Sequence, residues 1–241
     1  MRLVLCLPTY NEIQNLEPMV RALGEVFERG AVDGHVLVID DASPDGTGEL
    51  ADGLAAELRY VEVLHRQAKQ GLGPAYIAGF RHALAAGAEL VMEMDCDFSH
   101  SPDDVPRLVQ AASGADLVLG SRYVPGGRVE NWGFGRRLVS RAGSVYARRV
   151  LGIDVHDLTG GFKCFRRVVL ETIDLDSVSS LGYTFQVETT YRALRAGFRV
   201  EEVPIAFSDR ELGGSKMTKR IVAEAVWRIP ALRLAAVLGR L

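Results

Sequence analysis

Short apolar runs alternate with helix-patterned stretches from the first residues onward, and this rhythm constrains the fold more than any other feature of the chain. Leu3 to Leu7 reads as a strand and Leu16 to Phe27 as the helix after it. Val36 to Asp40 precedes Thr47 to Leu58, Tyr60 to Leu64 precedes Pro74 to Ala86, and Leu90 to Met94 precedes Val105 to Ala112. Asp116 to Gly120 is a fifth strand. Strand and helix in regular succession predict an α/β fold, a mostly parallel sheet flanked by helices. After Gly120 the rhythm is lost, and an arginine-rich loop and helix replace it. With 241 residues, 48% of them hydrophobic, the chain can bury a sizeable core.

Several classes are disfavoured by what the chain lacks. The first apolar stretch is stopped by Pro8, too short for the core of a signal peptide, and nowhere do eighteen uncharged apolar residues run together. Cys6, Cys96 and Cys164 are odd in number and widely spaced, without a CxxC or zinc-ligand pattern, which predicts buried thiols in a reducing compartment. Gly71-Leu72-Gly73-Pro74-Ala75-Tyr76 carries two glycines of a dinucleotide fingerprint. Tyr76 fills the third position, and the segment follows the third strand rather than the first, so a Rossmann dehydrogenase is not expected. The turn still leads into a helix N-terminus able to approach a sugar or phosphate, with Lys69 just before it.

The strand Leu90 to Met94 ends in Asp95-Cys96-Asp97, two carboxylates one residue apart, followed by Ser99, His100 and the helix start Ser101-Pro102. Two readings compete: a capped strand end, or a site for a divalent cation and a diphosphate at the carboxyl edge of a sheet. Other strand ends bring polar groups to the same edge: Pro8-Thr9-Tyr10-Asn11-Glu12 after the first strand and Asp40-Asp41-Ala42-Ser43 after the second. In a doubly wound sheet these loops converge on one cleft. Asp40 can accept from a base or ribose hydroxyl, or cap its own turn. His100 is expected to be structural.

A net charge of −3 hides a strong polarity. Residues 121 to 150 hold seven arginines against Glu130 alone, and residues 210 to 241 hold seven basic residues against Glu211 and Glu224. These segments fit an anionic partner, phosphate or a lipid surface, or else solvated helix faces. The acidic remainder argues against nucleic acid. Between residues 133 and 151, Phe134, Leu138, Ala142 and Val145 form one stripe, with Arg137, Arg141 and Arg148 on another, as an interfacial helix has. The tail from Lys216 is apolar but broken by Glu224, Arg228, Pro230 and Arg233, so it is read as lying on a membrane or partner rather than spanning. The alternative is that both helices complete the soluble core.

Taken together, PTYNE, VIDDASPDGT, KQGLGPAY, MDCDFSHSP, GSRYVPGG and SDRELGGSKM resemble glycosyltransferase family 2 enzymes of the GT-A fold, within them the dolichol- or polyprenol-phosphate mannose synthases. The resemblance covers nearly the whole chain. It implies a Rossmann-like nucleotide-binding sheet over residues 1–210, with an acceptor-side helix near 133–151. Residues 211–241 would form a basic amphipathic segment for membrane or partner docking. Pro8, Tyr10, Glu12, Val38, Asp40 and Lys69 would hold the nucleotide end of the donor. Asp95, Cys96, Asp97 and Ser99 would surround the diphosphate and a Mg²⁺ or Mn²⁺ ion, with Asp95, Asp97 and Arg122 as the residues of the reaction. Arg122, Arg210 and Lys216 would add positive charge around the phosphates. Cys96 stands where the family often has alanine, and Ser144 where it often has asparagine.

The implied reaction is inverting transfer of mannose from GDP-mannose to polyprenyl phosphate, performed peripherally at the cytoplasmic face of a membrane, with a membrane-anchored partner protein as a further expectation. Arg136 and Ser140, four residues apart on one helix face, together with Arg122, suit the acceptor phosphate, and Trp132 and Arg141 lie on the same side. Such a phosphate is largely dianionic near neutrality and needs no general base. The alternative within the fold is another sugar nucleotide, such as UDP-glucose, or a non-lipid acceptor. The Q-x-x-R-W motif of processive synthases does not occur; only Val226-Trp227-Arg228 does.

Overall fold

The computed structural model describes residues 1–178, 180, 182–208 and 219–239, with Phe134, Arg136, Tyr183 and residues 219–225 described as backbone alone. Its strands are β1 (Leu3–Thr9), β2 (Gly34–Asp40), β3 (Val61–His65), β4 (Leu90–Glu93), β5 (Leu117–Ser121), β6 (Arg128–Val129), β7 (Lys163–Arg166), β8 (Val200–Pro204) and β9 (Ala206–Phe207). The helices are α1 (Ile13–Arg29), α2 (Thr47–Glu57), α3 (Leu72–Ala85), α4 (Val105–Ala111), α5 (Phe134–Leu151), α6 (Arg167–Thr172), α7 (Gly182–Arg195) and α8 (Lys219–Val237). Seven strands form one sheet in the order β3-β2-β1-β4-β7-β5-β8, and β6 pairs with β9 beside it.

All strands of the large sheet run parallel except β7, which is antiparallel to both β4 and β5. Six strands therefore end at one edge. Both faces are covered, which explains why the strands read as unbroken apolar runs. Leu3, Leu5 and Leu7 point to a core shared with Leu16, Met19 and Leu23 of α1 and Leu108 of α4. Val4 and Cys6 point the other way, to Tyr76 and Phe80 of α3, Phe185 and Tyr191 of α7 and Ile229 of α8.

The structure departs from the sequence reading at two places that bear on the cleft. The first strand does not stop at Pro8 but runs to Thr9. Cys6 O accepts from Met94 N at 3.3 Å, so Pro8, two residues on, turns its ring nitrogen to the same side, beyond the end of β4. Its missing N–H breaks no ladder rung there. The second departure is β7, a four-residue strand wedged between β4 and β5, with α6 and then α7 following it. Neither β7 nor α7 was expected. The order in which successive strands are laid down reverses at β1, whose neighbours β2 and β4 lie on opposite sides, and this is the place where such sheets bind ligands.

Candidate active site

The loops after β1 and β2 are stitched into one wall. Asn11 N donates to Ser43 Oγ (3.1 Å), Glu12 N to Thr47 Oγ1 (3.0 Å), and Ile13 N to Asp45 Oδ2 (3.3 Å). Asp40 caps its own turn: it accepts from Ser43 N at 3.1 Å and Ser43 Oγ at 2.5 Å, and from Thr9 Oγ1 at 3.4 Å. The capping alternative for Asp40 is thus present, and the residue is 3% exposed. Val38 is sealed in the core two residues earlier. Beside the wall, Lys69 Nζ lies 3.7 Å above the centroid of the Tyr10 ring, a cation–π contact that brings these two predicted residues together. Arg66, which the sequence reading passed over, pairs with Asp41 and donates to Gln70 Oε1 at 3.0 Å, tying the loop after β3 to the same wall.

Asn11, Ala42 and Phe98 all have positive φ, at 58°, 56° and 56°. They sit in the loops after β1, β2 and β4, the three that border the sheet reversal. Left-handed backbone at non-glycine residues is uncommon and collects at functional loops.

Asp95 is partly exposed, while Cys96, Asp97 and Ser99 are buried. Asp97 Oδ1 accepts from Ser99 N at 3.1 Å, an Asx-type turn that holds the carboxylate back over its own loop. Beneath it the Tyr76 hydroxyl is held protonated: burial is the first cause of its raised pKa, and the carboxylate of Asp95 adds to it. Two carboxylates on one loop are hard oxygen donors. Among the described residues no group of three His, Cys, Asp or Glu side chains could hold a metal by itself. That donor set suits an ion such as Mg²⁺ or Mn²⁺ that takes one or two carboxylates and completes its shell with water and diphosphate oxygens.

Past the end of β5, Arg122 is clamped by Asp157. The Arg122 backbone N (2.9 Å) and Nε (2.7 Å) donate to Asp157 Oδ2, Nη2 donates to Oδ1 at 2.6 Å, and Nη2 also reaches Thr159 Oγ1 at 2.9 Å. Burial alone would raise the Asp157 carboxyl, but the Arg122 charge and hydrogen bonds outweigh it and hold the pKa below the usual range. Around the guanidinium stand the rings of Tyr123, Phe207 and Trp132, with centroids 5.2, 5.2 and 5.8 Å from Cζ. Tyr123 Oη donates to Ser140 Oγ on α5 (2.7 Å), and Ser144 lies against Thr159 (3.4 Å). Arg122, Trp132 and Ser140 thus lie near one another, Trp132 beside the guanidinium and Ser140 linked through Tyr123. Arg136 lies on α5 one turn before Ser140, its side chain outside the described ones, and Arg210 and Lys216 also fall outside the described residues.

His100 packs against Phe162 (5.0 Å) and edge-on to Phe207 (5.1 Å). Cys6, Cys96 and Cys164 are buried, and no disulfide joins them. Gly73 proves to be a packing residue: a Cβ there would stand 2.9 Å from Ser180 O and 3.1 Å from the Phe185 ring. Asp157 and Arg66 were missed because each is a single charged residue whose partner lies 35 or 25 positions away.

A mostly parallel α/β sheet with polar loops at the carboxyl ends of its strands is an architecture that binds nucleotides. Residues 4–174 match the model of glycosyl transferase family 2. The chain is 52% identical to the undecaprenyl-phosphate mannosyltransferase of Micrococcus luteus, over 98% of this chain and 96% of that one. It is 49% identical to the polyprenol monophosphomannose synthase of Mycolicibacterium smegmatis, over 95% and 85%. Among solved structures, glucosyl-3-phosphoglycerate synthase from Mycobacterium tuberculosis, in complex with Mn²⁺, UDP and glucosyl-3-phosphoglycerate, superposes with a TM-score of 0.67. Its sequence identity is 20%, over 99% of this chain and 79% of that one. The chain belongs to glycosyl transferase family 2.

Proposed function

We propose that this chain transfers mannose from GDP-mannose to a polyprenyl monophosphate, inverting the anomeric centre. The observation that carries the reading is the likeness, across nearly the whole chain, to two enzymes named for making mannosyl-phosphate polyprenols. The cleft supports it, with carboxylates at one strand end and an anchored arginine at another.

Pro8, Tyr10, Glu12 and Asp40 would border the nucleoside, with Val38 packed beneath and Lys69 at the open side. Asp95 and Asp97, with Cys96 and Ser99 shaping their loop, would hold Mg²⁺ or Mn²⁺, which when bound offsets the charge growing on the departing diphosphate. Arg122, Arg136 and Ser140 would orient the acceptor phosphate, and Arg210 and Lys216 would add positive charge near the leaving group. An acceptor oxygen bonds to the anomeric carbon as the bond to the diphosphate oxygen breaks. Because a phosphate monoester with a second pKa of about 6 arrives largely ionised, no side chain need take a proton. The fixed Arg122 then serves position more than charge: clamped by Asp157, it meets the acceptor without first being ordered.

Among the described residues no helix is long and apolar enough to cross a membrane. A lipid acceptor must still be reached, and two helices offer a surface. On α5, Leu138, Val139 and Val145 are exposed; on α8, Trp227 is 81% exposed, with Val226, Leu234, Val237 and, just past the helix, Leu238 also exposed. Ile229, Leu232 and Ala236 face the core instead. Tyr146 Oη of α5 donates to Val226 O at 3.0 Å, which sets the two surfaces side by side. With Arg137, Arg141 and Arg149 exposed along α5, this face suits anionic headgroups. In this reading residues 1–210 are the catalytic body and 211–241 the docking segment, at the cytoplasmic face, where a membrane-anchored partner could bind the same region. Nucleic acid is not a partner.

The test is incubation with polyprenyl phosphate and a panel of labelled sugar nucleotides in the presence of Mg²⁺ or Mn²⁺. Label moving into lipid from GDP-mannose alone supports the reading; transfer from UDP-glucose, or to a water-soluble acceptor, replaces it.

A further inference from the structure

Below the cleft, charged side chains that belong to none of the family motifs named above are sealed inside the protein. Glu93, the last residue of β4, and Lys163, the first of β7, are both fully buried. They face each other across the antiparallel ladder, and Lys163 is also opposite Leu119 of β5. Lys163 Nζ donates to Gln186 O at 2.7 Å and lies 3.7 Å from Glu93 Oε1. Gln186 Nε2 closes the triangle, donating to Glu93 Oε2 at 3.1 Å. Asp157, the clamp of Arg122, is near enough for its charge to act on Lys163. A connected set of buried polar groups thus joins β4, whose end leads into the Asp95 loop, to β7 and α7, and β7 is in turn laddered to β5, the strand that leads into Arg122.

Burying two opposite charges is a poor way to gain stability, because apolar residues of similar volume usually do as well or better. What such a pair provides is fixed geometry: directional bonds that admit one arrangement of β4, β7 and the first turn of α7. The ends of β4 and β5 carry the two halves of the proposed reaction, and the strand separating them begins at Lys163. Transfer by direct displacement needs the reacting atoms roughly 3–3.5 Å apart, and a misplacement of about 1 Å can cost on the order of 100-fold.

We propose that Glu93, Lys163 and Gln186 are positioning residues that hold the Asp95–Asp97 loop at a set separation from Arg122. The inference rests on the proposed transfer for its kinetic consequence, though not for its structural one. The variants are Glu93→Met/Lys163→Met, which replaces the pair with apolar residues of similar size, and Gln186→Leu, which leaves both charges in place. The double variant is expected to keep a melting temperature near wild type, while kcat at saturating donor and acceptor falls about 10- to 100-fold and both KM values stay within about 3-fold. Gln186→Leu is expected to lower kcat in the same sense. In the ligand-free protein, amide exchange at residues 95–99 and 121–123 should quicken in both variants relative to the rest of the sheet.

A purely structural role predicts the opposite pattern: wherever the melting temperature is retained, kcat and local exchange return to wild type. That result in the double variant, or in Gln186→Leu should the double variant not fold, overturns the proposal. The exchange measurement needs no substrate. If wild-type protein transfers no mannose, the functional reading fails while the positioning claim is still decided by exchange.

Discussion

Asp157 holds Arg122 by both ends of its carboxylate, taking the arginine's backbone N–H and two guanidinium nitrogens at 2.6 to 2.9 Å. With side chains 0% and 5% exposed, the pair is shielded from solvent, and removing one partner strands the other. Replacing Asp157 with Asn should cost about 3–5 kcal/mol at pH 7. The folded-state pKa of Asp157 is depressed, so its contribution is fully present above the unfolded value near 4 and is lost as pH falls through the lower folded value. Urea unfolding of wild type and Asp157→Asn should show a constant gap from pH 7 to about 5 that narrows only below about 4. A gap that closes near pH 6 would mean that Asp157 is not held ionised by Arg122.

The two ends of the cleft should fail differently. Asp97→Ala is expected to abolish transfer, because the leaving diphosphate loses its counter-charge, and added metal should not restore it. Arg136→Ala should mainly raise the acceptor KM, leaving the donor KM within a few-fold. Steady-state kinetics with each substrate varied in turn separate the two. Full activity of Asp97→Ala in excess chelator would remove the metal assignment.

Two glycines make opposite predictions. In α3, a methyl at Gly73 would press on Ser180 O and Phe185, both packed against it, so Gly73→Ala should destabilise by about 1–3 kcal/mol. In α2, Gly53 has nothing within 4 Å of the added carbon, and Gly53→Ala should stabilise by roughly 0.5–1 kcal/mol through helix propensity. Thermal unfolding of both variants checks the pair, and equal effects would contradict the close approach of α3 to α7.

Membrane attachment should depend on side chains that stabilise nothing. Trp227 and Leu234 are 81% and 60% exposed, so Trp227→Glu/Leu234→Glu should leave the melting temperature nearly unchanged. The same change should abolish flotation with anionic liposomes, which wild type should show most strongly at low salt. Unchanged flotation would move the docking surface elsewhere.

The first half of the fold was legible because its strands are buried on both faces and its helices amphipathic, with glycine, proline and polar loops between. The acid loop and the polar strand ends were legible for the same reason, since they interrupt strong apolar runs. The second half was hidden by burial of polar residues. Lys163-Cys164-Phe165-Arg166 begins and ends on a cation, yet Lys163 is fully buried in β7. In α7, Thr184, Gln186, Glu188, Thr189 and Thr190 are buried, so no apolar stripe marks the helix. Glu93, a carboxylate inside the run Leu90 to Met94, is the partner of Lys163, 70 positions away. Local pattern carries no record of such pairings.

The most direct measurement of the central claim is the structure of the lipid product formed from GDP-α-mannose and polyprenyl phosphate. Displacement by an ionised phosphate predicts a single polyprenyl phosphate mannose of β configuration, identified by mass spectrometry and NMR. An α product, or mannose left on the nucleotide or moved to another acceptor, would contradict the account.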